Sequence, residues 1–466
     1  MMINRRKLVQ YTAGAAASSS LMGSVFAADD SPVPKSNRFL LYIHFGSACG
    51  IASGLVQPVA PGKWPKGFFQ EGAEAGSTNP LLNSHVEAQG LIFHDYLKFL
   101  APLAKDMCLV NGTPQSLDHN VARVLQKRGA TQGALAPEWG MGLTENMKTA
   151  ERRNPMIVTE GTKSRSTSDV TLVKARSLDE LKTITTDNTT IPKTHVDPIW
   201  AALKNRFKAA SSTTVNYEAN LAETANHQLD TLIAGLAPLG TVKAETDSLR
   251  AALDRPQITT LVAGCADKVE IMNQFDNNFK EELILAGILA KTGLAHAMTI
   301  EALDDDNHVG GADVTTARRA ANRWAMIAQF WQWIRSMNLQ NDVMIVVGQE
   351  FSRSPYNITS ENHDIVGLDG KKIRIISPGR DHGVSMGTMF IHANVPSGGR
   401  IGTVGGNLVP QATKDSKGTV DTSLLPFTSE NIVGSMFLRV FPELFPSERI
   451  VRGHWPTFKE VAAILA

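Results

Sequence analysis

Short apolar runs rich in branched residues alternate with helical patterns along most of the chain. Six of these runs have the length of strands and end at turn-forming residues, at 39–45, 107–111, 156–160, 297–303, 343–349 and 389–393. Runs this apolar are typical of strands that are covered on both faces, as in sheets built from βαβ units. The pattern therefore predicts an α/β fold with a central, mostly parallel sheet.

Two segments between the strands carry a helical pattern. The first is 86–103, and the second and clearest is 315–337. In the second, apolar residues recur at spacings of three and four, at Ala317, Ala321, Trp324, Ala328, Trp331 and Ile334. We expect the two tryptophans to belong to the core rather than to a cofactor site.

The middle of the chain, about 164–274, is richer in Thr, Lys, Ala and Asp and contains few strand-like runs. Helical patterns occur there at 195–209, 217–236 and 244–253. We interpret it as a helical insertion or cap within a single α/β domain that covers residues 28–466.

The first 27 residues read as a signal peptide. Arg5, Arg6 and Lys7 precede a mildly apolar stretch rich in Ala, Gly and Ser, and small residues allow cleavage after Ala27. The paired arginines before a weakly hydrophobic core favour export by the twin-arginine translocase, with an ordinary secretory signal as the alternative. Both routes predict a bacterial protein of the periplasm or the extracellular space.

The composition narrows the range of partners. The 466 residues include 46 Lys and Arg against 45 Asp and Glu, so no positive excess favours binding to nucleic acid. The only long apolar run lies in the signal peptide, and we therefore expect no integral membrane segment after cleavage. The three cysteines are odd in number and not closely spaced, which argues against a disulfide framework. Cys108, at the start of an apolar run, is interpreted as a buried core residue.

Three polar clusters adjoin predicted strands and could carry chemistry. Asp304-Asp305-Asp306-Asn307-His308 follows one strand, Arg380-Asp381-His382-Gly383 precedes another, and Asp118-His119-Asn120 precedes a predicted helix. Grouped carboxylates and imidazoles are the ligands that divalent metals use, and an arginine can bind an anion with two hydrogen bonds. The alternatives are a solvated acidic loop at Asp304 and a simple helix cap at Asp118. Four other histidines read as structural, namely His44, His227, His296 and His454, whereas His363 and His392, near the second cluster in sequence, are intermediate.

The order of three motifs resembles that of a known bacterial family. Glu350-Phe351-Ser352-Arg353-Ser354-Pro355, Gly379-Arg380-Asp381-His382 and Gly398-Gly399-Arg400-Ile401-Gly402 are similar to its E-F-G-R-T-P, G-R-D-H and G-G-x-x-x-G series. This is the twin-arginine-exported domain-of-unknown-function family fifteen-hundred-and-one, a relative of sulfatases and alkaline phosphatases. Its D-T-H motif corresponds to Asp306-Asn307-His308, its S-H motif contains the counterpart of His119, and its last helix corresponds to 430–441.

The resemblance implies an alkaline-phosphatase-like three-layer sandwich and a site for a divalent metal, zinc foremost, with manganese or calcium as alternatives. Metal ligands would be Asp306, His308, Asp381 and His382. His119 would be a further ligand or the acid/base, and Arg380 would bind the substrate. The family has a metal-binding aspartate after its first strand, whereas this chain has Cys49 there; a thiolate ligates zinc but does not suit magnesium or calcium.

The leading hypothesis is a metal-dependent hydrolase of phosphate or sulfate esters, or of related anionic groups on a small molecule or polymer. Ser47 and Ser116 are weak candidates for its nucleophile. The alternative is a non-catalytic exported binding or assembly protein on a degenerate hydrolase scaffold, which Cys49 and the missing nucleophile motif favour. A serine hydrolase is disfavoured because the chain contains no G-x-S-x-G elbow.

Overall fold

The computed structural model describes residues 38–46, 54–55, 85–114, 116, 118–129, 137–147, 155–159, 170–181, 242–304, 312–350, 352, 363–366, 372–375, 385–396, 398–404, 410–415, 419–424 and 426–466. All structural statements below concern these residues.

Strands occupy fourteen stretches of the described chain. They are β1 Phe39–Gly46, β2 His85–Ala88, β3 Leu91–His94, β4 Met107–Pro114, β5 Pro155–Val158, β6 Thr171–Lys174, β7 Ala297–Asp304, β8 Val343–Gln349, β9 His363–Val366, β10 Lys372–Ile375, β11 Ser385–Ile391, β12 Arg400–Ile401, β13 Thr403–Val404 and β14 Pro410–Gln411.

The helices follow in the same order. They are a 3-10 helix at Asp95–Asp106, α1 His119–Arg128, α2 Trp139–Asn146, α3 Lys243–Ala252, α4 Arg255–Leu261, α5 Lys268–Asn273, α6 Asn277–Thr292, α7 Ala312–Ser336, α8 Ser429–Val440, α9 Glu448–His454 and α10 Ala462–Leu465.

Eight strands form one mixed sheet in the order β12-β4-β11-β8-β1-β7-β5-β6. Strand β1 pairs in parallel with β7 and β8, β5 in parallel with β7 and β6, and β12 in parallel with β4. Only β11 is antiparallel to its neighbours β4 and β8. The predicted α/β class with a mostly parallel sheet is therefore confirmed, and the carboxyl ends of β4, β8, β1, β7, β5 and β6 share one edge.

Helices cover both faces of this sheet because β1 is apolar on both sides. Its residues Phe39, Leu41 and Ile43 belong to a core built with helices α6 and α7. Leu40 and Tyr42 belong to a second core on the opposite face, built with α2 and α8. Trp324 and Trp331 are at most 1% exposed in the first core, which confirms their prediction as core residues.

Most predicted elements are found near their expected bounds. The expected strand 343–349 coincides with β8, and the expected helix 315–337 corresponds to α7 with a small shift. Strand β11 begins four residues before the predicted 389, because its first half continues the pairing with β4 from Ser385 to Met386.

The predicted helix at 86–103 is wrong over its first half. Strands β2 and β3 form a hairpin there, with His85 opposite His94. The two residues between them, Gln89 and Gly90, have φ values of 51° and 75°, which a helix cannot contain but a two-residue hairpin turn requires. Helical structure begins only at Asp95, as the 3-10 helix.

The middle region 164–274 is described only in part. The predicted helix 244–253 corresponds to α3, whereas the predicted helices 195–209 and 217–236 lie outside the described residues. Sequence analysis missed strand β6 in this region, which pairs with β5 at the end of the large sheet. Residues of α3, α4 and α5 belong to the same core as the sheet, so this part of the middle region packs on the body.

Candidate active site

Helix α1 presents a polar face to the sheet, the reverse of an ordinary surface helix. His119, Ala122, Arg123, Gln126 and Lys127 recur at spacings of three and four and share one face. Gln126 and Lys127 are 2% and 6% exposed, whereas the apolar Val121 on another face is 41% exposed. Burial of polar side chains costs free energy unless they find partners, and for Lys127 the partner comes from the sheet.

The start of α1 is fixed by a local cap. The Asp118 side chain accepts hydrogen bonds from the backbone N–H groups of Asn120 at 2.9 Å and Val121 at 3.2 Å. The cap interpretation of Asp118 is thus confirmed. It places His119 at the first helical position, where its side chain reaches the carboxyl edge of the sheet.

Lys127, Glu301 and His44 form the first charged unit under α1. Nδ1 of the fully buried His44 lies 2.6 Å from Oε2 of Glu301, on the neighbouring strand β7. Lys127 Nζ donates to the other carboxylate oxygen, Oε1. Burial alone would raise the pKa of Glu301, but His44 and Lys127 together hold it well below its ordinary value. Because Glu301 is ionised, Nδ1 of His44 carries the hydrogen.

His119, Glu350 and Arg123 form a second unit of the same kind. The fully buried Glu350 follows β8, and its Oε2 accepts from Nδ1 of His119 while its Oε1 accepts from Nε of Arg123. Arg123 also pairs with Asp304 at 3.3 Å. The His119 and Arg123 side chains are 29% and 31% exposed, so this unit reaches solvent.

The two units are neighbours at the carboxyl edge. Gly46, at the end of β1, connects them: a Cβ atom there would lie 3.5 Å from Oδ1 of Asp304 and 3.7 Å from Nδ1 of His44. Asp304 belongs to the second unit through Arg123, and His44 belongs to the first. The edge thus holds two glutamates, one aspartate, two histidines, one lysine and one arginine.

A histidine whose Nδ1–H donates to a carboxylate is held in one tautomer, with the lone pair of the ring on Nε2. In His119 this arrangement lies at a solvent-accessible position, next to a guanidinium group that can bind an anion. The second unit is therefore suited to moving a proton beside a bound oxyanion.

Few of the predicted site residues fall on the described chain. His119 does, and it lies in the second unit. Ser116 is 4% exposed, and its Oγ accepts the N–H of Asp118 at 3.2 Å, so it supports the turn before α1. The others lie outside the described residues, namely Ser47, Cys49, Asp306, His308, Arg380, Asp381 and His382.

The described carboxylates do not themselves make a metal site. Within the described ranges, no group of three or more His, Cys, Asp or Glu side chains is placed to hold a metal ion. Both buried glutamates already accept from a histidine and a cation, as the two units show.

Arg123, Lys127 and Glu301 were not predicted as site residues, and Glu350 was named only as part of a motif. The helical spacing of His119, Arg123 and Lys127, with valine on another face, was a signal for α1. Glu301 could have been found as an acidic residue inside a predicted buried strand. His44, interpreted as structural, is part of the first unit.

His296, His454 and Cys108 have structural surroundings. Nδ1 of His296 lies 2.9 Å from the carbonyl oxygen of Arg38, and Nε2 of His454 lies 3.0 Å from the Asn146 side chain. Cys108 is fully buried, which confirms its assignment to the core, and burial raises the pKa of its thiol to about 12.

Comparison of the sequence with protein-family models and with curated proteins finds no match. Among the helices of the described chain, none combines the length and the apolar character that a membrane span requires.

Proposed function

We propose that the protein is an exported, metal-dependent hydrolase of phosphate or sulfate esters or of related anionic groups, with an alkaline-phosphatase-like fold. The observation that carries this proposal is the unit of His119, Glu350 and Arg123 at the carboxyl edge of a mostly parallel sheet. That edge is where α/β proteins bind ligands. The resemblance to the family fifteen-hundred-and-one, with its twin-arginine signal and periplasmic or secreted location, supports the same assignment.

His119 would move the proton in this reaction. Glu350 orients its ring through Nδ1, so that Nε2 can accept a proton from the attacking group or deliver one to the leaving group. Arg123, held by Glu350 and Asp304, would bind the anionic group of the substrate together with Arg380. Glu350 would act as a positioning residue, because it is fully buried.

The metal of the proposal is zinc, with manganese or calcium as alternatives. Its ligands would be Asp306, His308, Asp381, His382 and Cys49, which flank described strands in sequence. Asp306 comes two residues after the end of β7, and His382 comes three residues before the start of β11. When bound, such a metal polarises the ester group and activates a nucleophile.

The second candidate function is a non-catalytic binding or assembly protein on the same scaffold. It is favoured by Cys49, which stands where the resembling family carries its metal-binding aspartate. The surroundings of Ser116 also favour it, because this weak nucleophile candidate is buried and hydrogen-bonded to a turn.

The decisive experiment uses the mature protein purified after export. Bound metal is counted per chain by elemental analysis, and p-nitrophenyl phosphate and sulfate are tested as substrates. The hydrolase proposal expects roughly one or more metal equivalents, lost in Asp306→Ala, and ester hydrolysis. His119→Gln should lower kcat/KM by about 10²- to 10⁴-fold with folding retained. Glu350→Gln should change the pH profile of kcat. If Glu350 had only a structural role, this profile would stay unchanged.

His85→Gln is the matched control, because His85 lies on the β2–β3 hairpin and its side chain is 39% exposed. It should keep full activity. A well-folded, metal-free protein that hydrolyses neither ester would contradict the hydrolase proposal and favour the binding protein.

A further inference from the structure

Beneath α1, one row of residues crosses four neighbouring strands at the same level. His44 on β1 is in register with Glu301 on β7 and with Gly348 on β8. Gly348 is in turn in register with Thr388 on β11. The four residues therefore share one face of the sheet, the face that α1 covers.

Gly348 contributes no side chain to this row, and two polar side chains converge there. A Cβ atom at Gly348 would lie 2.9 Å from the Tyr42 hydroxyl oxygen and would overlap Nε2 of Gln126. Tyr42 comes two residues earlier on β1, on the same face, and its ring is stacked on that of His44 with the ring centroids 6.3 Å apart. Gln126 comes from the buried face of α1.

The side chains at this place are almost completely buried yet keep polar atoms without a protein partner. Exposure is 0% for His44, 2% for Gln126 and Thr388, and 3% for Tyr42. The described structure gives no hydrogen-bond partner to Nε2 of His44, the hydroxyls of Tyr42 and Thr388, or either amide atom of Gln126. A buried polar group without a partner costs stability, and several at one place indicate a ligand that they share.

The chemistry of these groups favours water as that ligand. Hydroxyl and amide groups both donate and accept, as does water, and a buried water needs two to four such partners. An anion is disfavoured because burial and the charges of Glu301, Glu138 and Glu350 raise the pKa of Tyr42 well above its ordinary value. A metal ion is disfavoured because Glu301, the carboxylate in register with His44, is already held by His44 and Lys127.

We infer that the row around Gly348 is a buried hydration site, in which ordered water binds Nε2 of His44, the Tyr42 and Thr388 hydroxyls and the Gln126 amide. The water donates to Nε2 of His44, whose Nδ1–H is given to Glu301. The water thereby extends the series of hydrogen bonds that runs from Lys127 through Glu301 to His44, towards the centre of the sheet face. This inference does not depend on the proposed hydrolase activity.

The sign of a stability change tests the site. Thr388→Val and Tyr42→Phe keep the size of the side chain and remove one hydroxyl. If water pairs with the hydroxyl, each variant loses a hydrogen bond, and the Tm of the full chain should fall by roughly 1 °C. If the hydroxyl has no partner, its removal abolishes the free-energy cost of burying an unpaired polar group. An unchanged or raised Tm therefore overturns the inference.

Thr246→Val is the matched control, since the buried Thr246 hydroxyl donates to the carbonyl oxygen of Val242 at 2.8 Å. It shows the fall in Tm when a hydroxyl with a known partner is lost. A crystal structure of the unaltered protein gives a second measurement that does not depend on a variant folding. Ordered water within hydrogen-bond distance of both the Tyr42 hydroxyl and the Gln126 amide supports the site. A map without water there, or with a protein side chain in its place, overturns it.

Discussion

Oε2 of Glu301 lies 2.6 Å from Nδ1 of His44, although 257 positions of sequence separate the two residues. The other oxygen of the same carboxylate binds Lys127, whose side chain is 8% exposed. One glutamate thus compensates a buried ammonium group and orients a buried imidazole. Removal of its charge should affect both partners.

We predict that Glu301→Gln destabilises the protein by about 3 kcal/mol, because it leaves Lys127 buried without a countercharge. Urea unfolding followed by circular dichroism measures this change. In the double variant Glu301→Gln with Lys127→Met, the ammonium group is gone and much of the loss should be recovered. Purely additive effects of the two substitutions would contradict the coupling.

The same carboxylate should make stability sensitive to acid. Because His44 and Lys127 hold the pKa of Glu301 well below its ordinary 4.5, its contribution is complete above that pH and is lost as the pH falls below it. The stability difference between the unaltered protein and Glu301→Gln should therefore narrow below pH 4.5, by about 1.4 kcal/mol per pH unit. A constant difference between pH 6 and pH 3 would argue against an ionised Glu301.

Glu282 on α6 should have the opposite pH dependence. It is 4% exposed, and burial raises its pKa from 4.5 to about 8, although Arg176 partly offsets this effect. The penalty of ionising it in the folded state is absent below pH 4.5 and complete above about pH 8. Glu282→Gln should therefore stabilise the protein at pH 9 by about 1 kcal/mol or more, roughly 1 °C or more in Tm, and have little effect at pH 4.

Glu281 is the control for this prediction. It is the neighbouring residue, its side chain is 36% exposed, and it pairs with Arg250 at 3.4 Å. Glu281→Gln should change the Tm by less than about 1 °C at either pH, as expected for an exposed pair. Equal effects of the two substitutions at pH 9 would contradict a raised pKa at Glu282.

Gly112 on β4 should tolerate no side chain. Its φ of 74° lies in the left-handed region, and a Cβ atom there would overlap the backbone carbonyl oxygen of Thr403. Gly112→Ala should therefore cost about 3 kcal/mol or more in urea unfolding. At Gly264 the nearest heavy atom to a new Cβ is 3.7 Å away, so Gly264→Ala should stay within about 1 kcal/mol of the unaltered protein. A cost at Gly112 as small as that at Gly264 would show that the backbone of β13 can move aside.

The central strands could be predicted from sequence because a strand that is buried on both faces requires a continuous apolar run. Strand β8 is fully buried along its length, and its bounds were predicted correctly. Strand β6 was missed because it pairs with only one neighbour, β5, and is partly exposed, so its four residues lack such a run. The β2–β3 hairpin was mistaken for a helix because apolar spacing in a short segment fits both, and the turn at Gln89 and Gly90 decides between them.

The candidate site was predictable only where local sequence determines it. Asp118 and His119 were found because a helix cap is a contact between residues two or three positions apart. The partner of His119 lies 231 positions away, and that of Lys127 lies 174 positions away. No local pattern brings such residues together, because their contact results from the order of strands in the sheet.

Strand β1 lies in the middle of the sheet although it is the first strand of the described chain. Both of its neighbours, β7 and β8, follow residue 296 in the chain. Strand β1 therefore lacks these two pairing partners until they have been synthesised. An apolar strand left unpaired is a site of aggregation, and the sheet cannot close until the last third of the chain is available. A chain truncated before β7 should therefore be insoluble, and the nascent protein should need protection of its N-terminal segment until synthesis is nearly complete.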